Sequence, residues 1–151
     1  MKKEFVMRGQ TASGLTEVLN FSGYKPGYAY RMTEFQIYPS TSSGTGWPNF
    51  ELCATVTAAK TYEDPENPNF NNEGLIATTF FQNQTSSRHT IESTPVINDT
   101  FLITQNLILA VIDTEAGSPM AVNWQCRFVS EKMTGPEEAA TNYKQYAISD
   151  E

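Results

Sequence analysis

Apolar and polar residues alternate along much of this chain. Leu15, Glu17, Leu19 and Phe21 fall on one parity; Thr16, Val18 and Asn20 fall on the other. The same period of two runs through Tyr28, Tyr30 and Met32, through Phe50, Leu52, Ala54, Val56 and Ala58, and through Met120, Val122, Trp124, Cys126 and Phe128. Period-two patterning marks antiparallel strands with one face inward. Val, Ile, Thr, Tyr and Phe dominate these runs and suit a pleated surface. The pattern predicts eight or nine strands near 2–9, 15–22, 28–38, 50–60, 74–82, 86–92, 95–104, 106–113 and 120–131. The run 106–113 is apolar on both parities, so it is expected to be a central strand covered on both faces, or one that meets a partner chain.

Turn chemistry separates the strands. Gly, Pro, Asn and Ser cluster at 22–27, 39–46, 63–69, 83–87 and 115–119. After Thr134-Gly135 the pattern changes: Pro136 suits a first helical position, and Glu137 and Glu138 suit the positive end of a helix. A helix over about 136–146 is predicted, with Tyr143 and Tyr146 spaced to pin it to the sheet. The expected fold is all-β: one antiparallel β-sandwich domain over 1–151, jelly-roll-like, with a short C-terminal helix.

Composition narrows the function classes. The chain has 151 residues, a length that suits a single domain, and carries 39% hydrophobic and 18% charged residues. Its net charge of −7 repels phosphate backbones and anionic headgroups, so neither nucleic acid nor membrane is an expected partner. The start, Met-Lys-Lys-Glu-Phe-Val-Met-Arg-Gly, lacks the apolar core of a signal peptide, which predicts a soluble product made in the cytoplasm. Three Asn-x-Ser/Thr triplets, at Asn20, Asn83 and Asn98, then read as chance. Cys53 and Cys126 sit in strand-like runs and read as two reduced thiols filling core space; spacing alone leaves a disulfide between them open.

Candidate chemistry is sparse. His89, in a polar stretch without a nucleophile or carboxylate signature, reads as a surface histidine. Asp64, Glu66, Asn67, Asn69, Asn71 and Glu73 offer oxygen donors of the kind calcium takes, but at no EF-hand spacing. No cofactor is expected beyond that Asp64–Glu73 calcium reading. Glu34 and Glu51 are strand carboxylates that would form an acid pair only on neighbouring strands. No phosphate-cradling glycine loop occurs. What remains is binding. Candidate partner-contact residues are Phe5 and Met7 on the first strand, Trp47 in its Gly/Pro loop, and Tyr143 and Tyr146 on the helix. For Phe5 and Met7 ordinary core packing is the competing reading.

The stretch Val96-Ile-Asn-Asp-Thr-Phe-Leu-Ile-Thr-Gln-Asn-Leu-Ile-Leu-Ala-Val-Ile-Asp-Thr, with Gly117 and Val122-Asn-Trp-Gln-Cys-Arg-Phe, resembles small β-sandwich structural proteins of marine tailed phages. The resemblance covers the last third of the chain and brings no catalytic residues. It implies a non-enzymatic virion protein, foremost a capsid decoration or cement protein whose partners are the major capsid protein, other virion subunits or further copies of itself. A tail tube or fibre component is the next reading. From another class, a carbohydrate-binding module would use Tyr38, Trp47 and the Asp64–Glu73 loop.

Overall fold

The computed structural model describes residues 3–21, 27–41, 49–84, 89–115 and 119–149, without the side chains of 145–147 and 149. Its strands are β1 (Glu4–Thr11), β2 (Thr16–Leu19), β3 (Tyr28–Pro39), β4 (Phe50–Thr57), β5 (Leu75–Gln84), β6 (His89–Glu92), β7 (Val96–Ile97), β8 (Leu107–Asp113) and β9 (Val122–Lys132), followed by helix α1 (Gly135–Ser149). Eight expected strands are present within a few residues. The ninth, expected over 95–104, shrinks to the two residues of β7. There the Asn98 side chain accepts hydrogen bonds from the Thr100 N–H and hydroxyl, and Phe101 N–H donates to the Asn98 carbonyl. This turn redirects the chain from one sheet to the other: Val96 pairs with Thr78 of β5, whereas Ile103 bridges to Tyr30 of β3.

Two antiparallel sheets result: three strands in the order β1-β9-β3, and six in the order β2-β8-β4-β5-β6 with β7 also paired to β5. The first strand pairs with the last and the second with the next-to-last. Ile103 extends the smaller sheet beyond β3, and β4 and β5 pair as neighbours in the larger. That nesting is a jelly roll, with β6 and β7 inserted before the crossover. β8 is central, between β2 and β4, as its two-sided apolarity requires.

The core lies between the inward parities of the two sheets. Met32 and Phe35 of β3 and Val122, Cys126 and Phe128 of β9 meet Leu52, Ala54 and Val56 of β4 and Leu107, Leu109 and Val111 of β8. Each large side chain removed from water here contributes roughly 1.5–3 kcal/mol. One end is aromatic: Phe128 stacks on Phe5 at 5.5 Å and meets Phe21 edge-on at 5.2 Å, with Tyr30 against both partners.

At the other end a buried carboxylate gathers backbone donors. Asp113 Oδ1 accepts from the N–H groups of Glu51 and Glu115, and Oδ2 accepts from that of Met120. Asp113 N–H donates to the Ser13 hydroxyl. One side chain therefore fastens the start of β4 and both flanks of the β8–β9 connection.

Helix α1 is longer than expected and is held differently. Thr134 caps it, its hydroxyl accepting from Glu137 N–H. Glu138 Oε1 accepts from Gly27 N–H at 2.9 Å, and Met133 N–H donates to the Gly27 carbonyl. Gly27 has φ +88°, a conformation that favours glycine. Ile148 is buried in the core cluster, and Lys144 Nζ lies 5.8 Å from the Phe101 ring centre. Tyr143, expected to pin the helix, is 75% exposed instead. The Tyr146 side chain lies outside the described residues. No described helix is long and apolar enough to cross a membrane.

Candidate functional site

The two outer faces of the sandwich differ in chemistry. The three-stranded sheet turns polar residues outward: Glu4 and Arg8 of β1, Gln125 and Arg127 of β9, Glu34 and Gln36 of β3. Arg127 pairs with Glu34 at 3.2 Å and with Glu4 at 3.8 Å. Over one end of this face lies an open groove of about 700 Å³, lined by Arg8, Gln36, Tyr38, Asn123 and Gln125, with Glu92 of β6 reaching in from the other sheet. Trp124 and Gly9 form part of its lining. A Cβ on Gly9 would stand 2.9 Å from the Trp124 ring, so only glycine admits the indole there, and the indole N–H donates to Thr11 Oγ1. Asn123 is fixed in the groove. Its Oδ1 accepts from Gln10, and its Nδ2 donates to the Pro39 carbonyl.

The six-stranded sheet has a mixed outer face, where Thr16, Glu51, Thr55, Thr57, Thr78, Gln82, Gln84 and His89 alternate with apolar residues across the strands. Register places Val18, Ile108, Ala110, Ile112, Cys53, Phe80, Ile91 and Val96 on this face. The segment 61–73 crosses it. The buried Thr55 hydroxyl donates to the Glu63 carbonyl at 2.7 Å, and Glu63 N–H donates to the Thr57 hydroxyl at 3.1 Å. Clefts flank the segment, one beside Tyr62, Pro65 and Ile112, the other beside Phe70, Thr78 and Val96.

The predicted site residues separate across this frame. Phe5 and Met7 are half-buried against the core cluster. Trp47 lies outside the described residues. Tyr38 lines the polar groove, while the Asp64–Glu73 loop lies over the six-stranded sheet, so the two do not form one sugar site. Within that loop the oxygens are turned onto the loop's own donors: Asp64 accepts from Glu66 N–H and the Asn67 side chain, Asn69 from Asn71 N–H, and Asn72 from Gly74 N–H. The Glu66 N–H, foremost, holds the Asp64 carboxyl below its ordinary 3.8. Among the described residues no group of three or more His, Cys, Asp or Glu side chains is placed to hold a metal ion. Glu34 and Glu51 lie in different sheets, and Glu51 is bonded to Gln84 and Thr114, so they form no acid pair. His89 is exposed on β6. No protein-family model and no curated protein matches this chain.

Both cysteines are free thiols. Burial pushes the Cys126 thiol from 9.0 up to about 12. Cys53 rises to about 11, through burial first and then through Glu66, Glu51, Asp113 and Asp64. The fold therefore favours the protonated thiols. Their contribution to stability is fully present below pH 9.0 and is lost as pH rises toward about 12. Cys126 is expected to resist a thiol reagent at pH 8 until denaturant is added, since the thiolate is the reactive form. Cys126→Ala should flatten the alkaline loss of stability measured by urea unfolding. Labelling of native Cys126 at the rate of a free thiol would contradict both expectations.

The outward apolar face and the groove were hidden from the sequence for one reason. Each assembles residues from at least four strands, and alternation names a strand's faces without naming its neighbours.

Proposed function

We propose that this chain is a non-enzymatic virion structural protein, a capsid decoration or cement protein that binds an assembled shell through the outer face of its six-stranded sheet. One observation carries the reading. Of the ten large hydrophobic side chains exposed among the described residues, six share that face: Val18, Tyr62, Phe70, Phe80, Ile91 and Val96. Apolar groups gathered on one face of a soluble domain mark a contact surface. The jelly roll adds support by analogy of fold, since viral shells use it often, and the sequence resemblance over residues 96–128 adds the tailed-phage setting.

The mechanism is mass action on a symmetric lattice. A protein that binds the assembled shell and not its free subunits shifts the equilibrium toward assembly. Many copies, each making modest contacts, then act with multivalent strength.

Cryo-electron microscopy of virions that carry this protein tests the reading. Density for this sandwich in regular copies, six-stranded face against neighbouring subunits, is the expected result. Phe70→Asp and Val18→Asp place charge on positions 63% and 58% exposed, so each should change folding stability by no more than about 1 kcal/mol while occupancy on the particle falls at least about tenfold. Full occupancy by both variants, or particles without this chain, would sink the proposal.

A further inference from the structure

We infer that the groove over the three-stranded sheet is a binding site for a neutral saccharide, independent of the apolar contact face. Its lining is the argument. Arg8 and Glu92 contribute one charge of each sign, so the charged side chains of the lining sum to zero and favour neither an anion nor a cation. The remaining polar groups are amides: Gln36, Asn123 and Gln125. An amide side chain presents donor and acceptor together, which matches a sugar hydroxyl that must both donate and accept. Arg8, Gln36, Gln125 and Glu92 have no side-chain hydrogen bond or ion pair to any described residue, so their bonding capacity is open to a ligand. Asn123, by contrast, is locked by Gln10 and Pro39 and supplies a rigid floor.

Tyr38 adds the apolar half of the chemistry. Its side chain is 54% exposed, and its ring is set edge-on to Phe81 at 6.3 Å. An aromatic face held this way offers a platform for the C–H face of a pyranose, with the phenol free to hydrogen-bond at its rim. A volume near 700 Å³ falls within the range of small-ligand sites.

The test titrates the intact chain with neutral oligosaccharides (maltohexaose, cellohexaose, chitohexaose and xylohexaose) and, separately, with a sulfated heparin tetrasaccharide, read by amide chemical shifts. Saturable shifts from at least one neutral probe, centred on Gln36, Tyr38, Asn123 and Gln125, are expected. Tyr38→Ala should weaken that binding at least about tenfold. Gln36→Ala, on an exposed strand face with no partner to lose, should weaken it while leaving the melting temperature unchanged. Three results overturn the assignment: no saturable shift from any neutral probe, shifts centred elsewhere, or tighter binding of the sulfated probe through Arg8. Loss of sugar binding leaves shell occupancy untouched, so the two proposals fail separately.

Discussion

Replacing Phe128 with alanine is expected to destabilise the protein by about 4 kcal/mol. Phe128 is fully buried, and its ring touches both Phe5 and Phe21. Truncation removes its burial, then leaves a cavity that the surrounding rings cannot fill without leaving their own contacts. β1 depends on this site, because Phe5 faces Phe128 across the β1–β9 pair. A small domain has only about 5–15 kcal/mol in hand, so the variant should sit near the edge of folding at 37 °C. Urea unfolding at 25 °C measures the loss, and Phe128→Leu, which keeps much of the volume, should recover part of it. A loss under about 1.5 kcal/mol for the alanine variant would mean that the aromatic end repacks freely.

Asp113→Ala is expected to be about as damaging, for the opposite chemical reason. The carboxylate satisfies three backbone N–H groups on separate segments, and the residue is only 4% exposed. Truncation leaves those donors without an acceptor, each at a cost of about 1–3 kcal/mol where water cannot reach it. Water entry offsets part of this, so the expected loss is about 3–4 kcal/mol. Asp113→Asn keeps the shape but turns an N–H₂ toward an N–H donor, and should fall between wild type and alanine. Hydrogen exchange offers a second readout: protection at Glu51 and Met120 should drop in both variants before the β4–β5 core loosens. Wild-type stability in Asp113→Ala would show that other acceptors replace the carboxylate.

The strands were legible because burial on one face of a sheet writes itself into alternate positions. β3, β4 and β9 each show it, and β8 shows its central place by being apolar on both parities. The nesting of strands was not legible, since Phe5 carries no mark that it will face Phe128. Nor was the break at Asn98, where a side-chain turn overrides a run of β-prone residues. On the helix, Tyr143 looked like an anchor by type, yet among the described side chains of the helix Ile148 is the one that enters the core. The outward apolar residues of the larger sheet left one mark, Val18 on the polar parity of its strand, and its kinship with Phe80 and Ile91 needed the sheet order.

The pairing of β1 with β9 has a consequence for how the protein is made. β9 is the middle strand of the smaller sheet, and both its neighbours were synthesised well before it. Roughly 110 residues separate the end of β1 from the start of β9. At about 5–20 residues per second, β1 waits about 5–20 s on the ribosome with its apolar side chains unburied. β3 waits about three quarters as long. The larger sheet can begin to form from β4 and β5, but the sandwich has no second layer until Val122–Lys132 emerges. Folding is therefore governed by long-range closure and slow for its size. During that interval the nascent chain exposes two edge-capable strands, and like charge between acidic chains opposes their pairing with neighbours on the same message.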